Sequence, residues 1–316
     1  MAKENIIPLN AVAADAREFI RTFRENGSLS FQDIALDDAR RNYRQSCKLN
    51  GIRVDAKLDV VDIDCPVSGG KIKLRLYSKD NRMRPLLLFL HGGGWVIGDL
   101  YTHDGICRFM AANTSYNVVA VDYRLAPEYT FPVPYLDCLE ALNWLSDNQK
   151  QIMLNCAKTV VMGDSAGACM ATILANETNV ADNITIDAQI LLYPVTDLTA
   201  SSMSYNKIQE GFPLTDKSMY WFRRNYLTTQ TDIKERRVSP LFFCENKQAD
   251  MFIVTVGFDP LADEGCDYAN RAAKAGTLLE HHHLPNHMHG IFTAAGKIET
   301  ARWMLTKAAQ FVEARQ

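Results

Sequence analysis

The sequence predicts a mostly parallel, doubly wound α/β sheet, and three observations support that prediction. From residue 84 onward, six apolar runs alternate with helical stretches, which is the pattern of strands joined by crossover helices. The first five runs are dense in Val, Ile and Leu, as is typical of strands covered on both faces. The 316 residues are 47% apolar, which is enough to fill one large core. We therefore expect a single domain over residues 1–316.

The N-terminal part of the chain has a different character. The first ~55 residues are polar and helix-prone, and AVAADAREFIRTF places apolar residues at helical spacing. Two strand-like segments follow, LDVVDIDC and KIKLRLY, and the turn Val67-Ser68-Gly69-Gly70 between them favours a hairpin. This hairpin is expected to open the sheet with antiparallel strands.

Each of the six later runs is predicted to be one strand, and the stretches between them to be helices and loops. The predicted strands are RPLLLFL up to His91, VVAVDYR up to Arg124, TVVMGDS up to Ser165, AQILLYPV up to Val195, MFIVTVGFDP close to Asp259 and LLEHHHLP up to Pro285. Residues 198–240 interrupt this alternation with a loop and a helix that Thr215 is placed to cap. Together with residues 1–55, this insertion is expected to form a helical cap over the strand ends, where open α/β sheets bind their ligands.

The segment Gly163-Asp164-Ser165-Ala166-Gly167 matches the pattern G-x-S-x-G and lies between the buried strand TVVM and the apolar helix AGACMATILAN. A strand–turn–helix is the setting in which this pattern forms the nucleophile elbow of the α/β-hydrolase fold. Ser165 would then stand above the sheet at a helix N-terminus, where developing negative charge is favoured. The alternative is a glycine-bounded turn with an inert serine.

Directly after the strand RPLLLFL comes His91-Gly92-Gly93-Gly94. Attack of a serine on an ester creates an oxyanion that needs fixed N–H donors about 3 Å away, and side chains would block such a close approach. We therefore expect an oxyanion hole formed by the amides of Gly93, Gly94 and Ala166, with Gly92 making the turn and His91 bracing the loop. The alternative is a flexible glycine hinge.

The order of this fold places an acid after the nucleophile and a histidine after the acid. Asp259 ends its predicted strand, so we favour it over Asp263 and Glu264, which are better suited to begin the next helix. His289 is favoured as the base over His287, and both are expected in the loop after the last strand. His103, after the glycine loop, is expected to be a structural or cap contact.

Other patterns point to no cofactor. His281, His282 and His283 suggest a metal site, but adjacent strand residues alternate between faces and metal-ligand spacing is missing. The eight cysteines are scattered, which favours buried thiols over disulfides or zinc. Apolar residues of the cap and loop are candidates either for the wall of a substrate pocket or for core packing. They are Trp95, Phe212, Leu214, Trp221 and Phe222.

Composition limits the partners. With a net charge of −3, the chain is not basic enough to suggest a nucleic-acid surface. The N-terminal sequence lacks a signal-peptide pattern, and no stretch approaches the roughly 20 apolar residues of a membrane span. We therefore expect a cytoplasmic protein with a small-molecule ester substrate, and neither nucleic acid nor membrane as a partner. The sequence leaves open a homodimer.

Together these motifs resemble the hormone-sensitive-lipase family of serine esterases, and within it the bacterial acetyl esterases. The matching blocks are HGGGWVIGDLYTHD from His91, VDYRLAPE from Val121, FPVPYLD from Phe131, GDSAG from Gly163, DPLADE from Asp259 and HMHGIF from His287. They occur in the family's order and cover residues 60–316. The first 55 residues resemble the family only in their general helical character.

The resemblance implies a cytoplasmic hydrolase of short-chain acyl esters, such as acetyl and butyryl esters. It implies Ser165, Asp259 and His289 as a catalytic triad, and oxyanion donors in the glycine loop and at Ala166. Alternatives remain on the same scaffold: a receptor without catalysis, an amidase, a long-chain lipase, or a regulator that binds another protein, as some acetyl esterases do. Because the base histidine is present and a signal peptide is not seen, the receptor and the lipase are disfavoured.

Overall fold

The computed structural model describes residues 6–27, 30–176 and 184–315. Within them the chain forms one eight-stranded sheet with helices packed on both faces, which confirms the predicted α/β fold class. Parts of the predicted domain and cap fall on residues 1–5, 28–29, 177–183 and 316, which lie outside the described residues. No helix in the described ranges is long and apolar enough to cross a membrane.

The eight strands follow the apolar runs of the sequence closely. They are β1 (Asp59–Val67), β2 (Gly70–Ser78), β3 (Arg84–Leu90), β4 (Asn117–Asp122), β5 (Leu154–Asp164), β6 (Ile186–Leu192), β7 (Asp250–Phe258) and β8 (Leu279–Met288). Their order in the sheet is β1-β2-β4-β3-β5-β6-β7-β8. The hairpin of β1 and β2 pairs antiparallel, as predicted, and β2 continues antiparallel onto β4. All pairs from β4 to β8 are parallel.

Nine α-helices lie in the described residues. They are α1 (Arg17–Glu25), α2 (Leu36–Asn50), α3 (Asp104–Asn113), α4 (Val133–Asp147), α5 (Ala166–Ala175), α6 (Met203–Lys207), α7 (Asp216–Tyr226), α8 (Ala262–Lys274) and α9 (Glu299–Glu313). The predicted cap of α7 is confirmed, because the hydroxyl of Thr215 accepts a hydrogen bond from the amide of Ser218.

The strands fill two cores because their side chains alternate between the faces of the sheet. In β3, Leu86, Leu88 and Leu90 point into one core, and Leu87 and Phe89 point into the other. Helices α4, α5 and α8 cover the first core, whereas α3 and α9 cover the second. The sheet is therefore buried on both sides, as the continuous apolar runs indicated.

The structure corrects two boundaries. The helix expected within AVAADAREFIRTF begins only at Arg17, and the guanidinium of Arg17 bonds the carbonyls of Leu9 and Val12, which lie before the helix. The loop predicted for His287 is also wrong, because β8 continues to Met288. The strand reaches that far through an irregularity opposite Gly257, where a Cβ atom would collide with the carbonyl of Pro285.

All eight cysteines are unpaired, and seven of them are buried. The prediction of buried thiols is confirmed for those seven, whereas Cys266 is half-buried. Burial raises the pKa of the Cys156 and Cys244 thiols to about 11. Such thiols are un-ionised at neutral pH and behave as small apolar groups in the core.

Candidate active site

Ser165 lies in the sharp turn between β5 and α5. Its backbone adopts φ 55° and ψ −120°, a left-handed conformation that costs a residue with a side chain on the order of 1–3 kcal/mol. Its amide donates to the carbonyl of Leu192 at 2.8 Å, which fixes the turn against the end of β6. The neighbouring glycines are required, because a Cβ at Gly163 would collide with Gly167, and one at Gly167 with the carbonyl of Leu90.

The glycine loop after β3 has the geometry of a backbone pocket. Gly93 and Gly94 have φ values of 119° and 59°, which favour glycine. A Cβ at Gly93 would collide with the carbonyl of Ile97, and one at Gly94 with the ring of Phe222. The loop follows β3, the neighbour of the strand that leads to Ser165, and backbone amides without side chains are suited to binding an oxyanion.

His91 braces this loop from inside the protein. Its Nδ1 lies 2.8 Å from the carbonyl oxygen of Gly92, and its ring stacks on Tyr123 at 4.2 Å. Burial, together with the charge of His103, lowers the pKa of His91 to about 4. His91 is therefore uncharged at neutral pH and takes part through hydrogen bonding and packing.

Sequence reasoning missed the contact between Asp164 and the glycine loop. Asp164 accepts a hydrogen bond from the amide of Gly92 at 2.7 Å, and the same oxygen lies 3.0 Å from Nε2 of His103. His103 therefore supports the loop from behind. The available signal was a charged residue inside an otherwise apolar, buried strand end, which needs a partner.

Asp259 and His289 meet just beyond the C-terminal ends of β7 and β8. Asp259 follows the last residue of β7 and is only 1% exposed, and its Oδ2 lies 2.7 Å from Nδ1 of His289. Its other oxygen accepts a hydrogen bond from the amide of Leu261 at 2.9 Å. A buried carboxylate on Nδ1 orients the imidazole and leaves Nε2 to exchange a proton with a nucleophile.

The rival residues have other partners. Asp263 accepts from the amide of Ser204 at 2.8 Å. Glu264 accepts from the amide of Thr196 at 2.7 Å, and burial raises its pKa well above the ordinary value. His287 lies 3.1 Å from Asp15 of the N-terminal segment. Each rival thus supports a loop or a segment, and none of these contacts involves Asp259 or His289.

One segment after β6 links the serine to the histidine. The amide of Val195 donates to the carbonyl of Ser165 at 3.3 Å. Two residues earlier, the buried ring of Tyr193 packs on the ring of His289 at 4.2 Å. Tyr193 follows an apolar strand in the sequence, and nothing in that pattern indicated that its ring packs on His289. The ends of β5, β6, β7 and β8 therefore meet at one edge of the sheet, as expected for an open α/β site.

Aromatic side chains surround the glycine loop. Trp95 is buried and stacks on Tyr226 with ring centroids 4.2 Å apart. Phe222 is buried as well, packs against Gly94, and contacts Phe31 of the N-terminal segment at 5.4 Å. The expectation of core packing is therefore met for Trp95 and Phe222, whereas their role as the wall of a substrate pocket stays a prediction.

Two clefts in the described structure have linings that do not include Ser165, Asp259 or His289. The larger encloses about 760 Å³ between α2, β2 and α3, and Phe292 and Thr293, just after His289, form part of its wall. The smaller encloses about 220 Å³ between α6 and α7, and Met219 forms part of its wall.

The histidine run does not form a metal centre in the described residues, where no group of three or more His, Cys, Asp or Glu side chains is placed to hold an ion. His281 and His283 both contact the hydroxyl of Thr255, at 2.8 and 2.9 Å. His282 faces the other side and lies 2.8 Å from Glu280. The rings therefore alternate between faces, as the strand pattern predicted.

Known proteins resemble this chain in both sequence and structure. Residues 87–293 match the model of a family described by the alpha/beta hydrolase fold. The chain is 31% identical to the ethyl acetate hydrolase of Pseudomonas putida over 93% of its own length and 95% of that protein. It is 34% identical to the carboxylic ester hydrolase LipN of Mycobacterium tuberculosis, over 81% and 71% of the two chains. The structure of an esterase from Pyrobaculum calidifontis matches with a TM-score of 0.85 and 28% identity, over 96% and 98% of the chains.

Proposed function

Because the chain belongs to this α/β-hydrolase family, and within it to the hormone-sensitive-lipase-like class, we propose that this carboxylic ester hydrolase acts on esters with short acyl groups. In this proposal Ser165 is the nucleophile, His289 the general base and Asp259 the acid that orients it. The amides of Gly93, Gly94 and Ala166 form the oxyanion hole. The substrate class extends from acetyl to butyryl esters, and no cofactor takes part.

The reaction proceeds in two acyl-transfer steps. His289 takes the proton of Ser165 as Oγ attacks the ester carbonyl carbon, and the resulting oxyanion is held by the backbone amides. The tetrahedral intermediate collapses when the C–O bond breaks and the alcohol leaves with the proton from His289. His289 then takes a proton from water as the water attacks the acyl-serine carbonyl, and when the bond from that carbon to Oγ breaks, His289 returns the proton to Ser165 and the acid is released. Asp259 stabilises the imidazolium in both steps.

The contact between Asp259 and His289 is the single observation that most supports this mechanism. A carboxylate that is 1% exposed and lies 2.7 Å from Nδ1 has the position needed to stabilise an imidazolium away from solvent. The strained turn at Ser165 supports the same conclusion, because such strain persists where the surrounding structure requires it and is typical of active sites.

Support for a short acyl group comes from the residues that border the glycine loop. The ring of Phe222 lies directly against Gly94, and Leu214 and Trp95 are buried in the same core. An acyl chain bound beside Gly94 would meet the ring of Phe222. The name of the Pseudomonas relative, an ethyl acetate hydrolase, supports the same substrate size.

We also propose that residues 1–55 and 198–240 form one cap. In support, the guanidinium of Arg24 donates to the carbonyl of Gly211 at 3.0 Å, and Ser218 donates to Gln32 at 3.1 Å. These bonds join the two segments across more than 180 positions of sequence.

The cytoplasmic location, a homodimer and a regulatory protein partner stay predictions from the sequence.

The test is a series of nitrophenyl esters from acetate to palmitate. We expect kcat/KM to peak between acetate and butyrate and to fall with longer chains, and Ser165→Ala to abolish turnover while thermal unfolding is unchanged. Phe222→Ala should shift the peak toward longer chains, because it removes the ring beside Gly94. Folded wild-type protein with no activity on any ester, or a peak at palmitate, would contradict the proposal.

A further inference from the structure

A buried contact between Asp164 and His103 lies next to Ser165 in the chain and supports the glycine loop. Asp164, the residue before Ser165, and His103 are each 2% exposed, and Oδ1 of Asp164 lies 3.0 Å from Nε2 of His103. The same Oδ1 accepts the hydrogen bond from the amide of Gly92. One carboxylate oxygen therefore ties the end of β5 to the first glycine of the loop.

The hydrogen bonds around His103 indicate that both of its ring nitrogens carry a proton. The hydroxyl of Thr102 has one hydrogen, which it donates to the carbonyl of Asp99 at 2.7 Å. Its oxygen lies 2.8 Å from Nδ1 of His103, so it accepts a hydrogen bond from that nitrogen. Nε2 lies 3.0 Å from the carboxylate of Asp164, which only accepts, although this contact is not aligned as a hydrogen bond. Both contacts are those that a doubly protonated ring makes.

Asp164 depends on this imidazolium for its charge. Burial alone would raise the pKa of Asp164, but the charge of His103 and the hydrogen bond from Gly92 hold the pKa below its ordinary value. The other titratable groups that act on Asp164 are uncharged at neutral pH, since burial raises the pKa of the tyrosines and cysteines and lowers that of the histidine. They are Tyr43, Cys47, His91, Cys107, Tyr123 and Tyr193.

Asp164 and His103 are also packed tightly against the glycine loop and the core, which restricts movement of the loop. Gly92 packs against the carboxylate so closely that a Cβ there would collide with Oδ2 of Asp164. The ring of His103 is held between His91 and Phe89, with centroids 5.7 and 5.6 Å away. Neither partner can shift without disturbing the core beneath the loop.

We infer that His103, as an imidazolium paired with Asp164, is a positioning residue that fixes the oxyanion loop through the amide of Gly92. The inference rests on the proposed function, since it requires the loop to bind an oxyanion. Three consecutive glycines have unusual backbone freedom, and their amides stabilise an oxyanion only when they are held at the right distance. Anchoring the first glycine restricts the two that follow it.

The experiment compares His103→Gln, Asp164→Asn and the double variant. Each single change should lower kcat on the preferred ester about 10- to 100-fold and leave KM within about 3-fold, because transition-state binding alone is weakened. The double variant should be no slower than the slower single variant, because the two residues act as one unit. In His103→Gln the acid limb of kcat should move to higher pH, because Asp164 has lost its counter-charge; in the double variant it should not.

A fluorophosphonate probe separates this inference from the proposed function. The probe labels a reactive serine whatever the natural ester is, and its inactivation rate should fall in parallel with kcat. If wild-type Ser165 is not labelled, the proposed function fails. If Ser165 is labelled and His103→Gln reacts at the wild-type rate, only the inference fails. Multiplying effects in the double variant, or a change confined to KM, would overturn it as well.

A control and a milder variant guard against simple loss of folding. Tyr268→Phe removes a buried hydroxyl that bonds Thr172 and Gln248 and no residue of the loop, so it should lower thermal stability and leave kcat unchanged. If His103→Gln does not fold, Thr102→Val decides the matter, because it keeps the His103 ring and removes the acceptor at Nδ1 together with the hydroxyl's two bonds to the backbone of Asp99. A 3- to 10-fold fall in kcat at constant KM is then expected, and an unchanged kcat would overturn the inference.

Discussion

The serine end of the candidate site is held by the backbone, whereas the acid–base end is held by side chains. At the serine end, Ser165 and Gly94 have positive φ values, and nearby glycines occupy positions where a Cβ would collide. At the other end, Asp259 and His289 hold each other through one hydrogen bond of 2.7 Å. The comparison teaches that a strained backbone requires glycines at fixed positions, which form a recognisable sequence motif. A pair of side chains requires only an acid and a histidine, and the sequence contains several of each.

The largest expected effect separates the acid–base pair from its neighbours. Asp259→Asn and His289→Ala should lower kcat/KM about 10⁴-fold or more, because the imidazole loses its orientation or is absent. The matched controls Asp263→Asn and His287→Ala should stay within about 5-fold, since they contact Ser204 and Asp15 instead. Steady-state kinetics on one nitrophenyl ester measures all four. If Asp263→Asn or His287→Ala is the damaging variant, the assignment at this end of the site is wrong.

A smaller but still large effect is expected at the backbone end. Gly94→Ala should lower kcat/KM about 10²- to 10³-fold, because the new methyl group collides with Phe222 and displaces an oxyanion donor. Gly276→Ala is the matched control: it also has a positive φ but has open space around it and lies beyond α8. It should cost some stability and leave kcat/KM unchanged. Equal kinetic effects at Gly94 and Gly276 would show that backbone strain alone, not the oxyanion loop, is responsible.

The sequence was sufficient to predict the sheet, the elbow and the strand end at Asp259, because each follows from local rules. Apolar runs define buried strands, and a serine between glycines at a strand–helix junction defines the turn. Both signals are contained within about ten residues, so no knowledge of distant contacts is needed.

Features that depend on distant contacts could not be predicted in the same way. The pairing of Asp164 with His103 joins residues 61 positions apart, and the packing of Tyr193 on His289 joins residues 96 positions apart. The extension of β8 past His287 depends on its register against β7, which a single strand does not encode. These features depend on tertiary contacts. The local sequence around each residue would be equally compatible with a loop that makes none of these contacts.

The most direct test of the account is to find where the acyl group resides during turnover. The protein is mixed with nitrophenyl acetate and quenched in acid within the first turnover, and its peptides are analysed by mass spectrometry. We predict one acetyl group on the peptide that contains Ser165, and none on that peptide in Ser165→Ala. An acetyl group on another residue of the active protein, or ester hydrolysis that persists in Ser165→Ala, would contradict it.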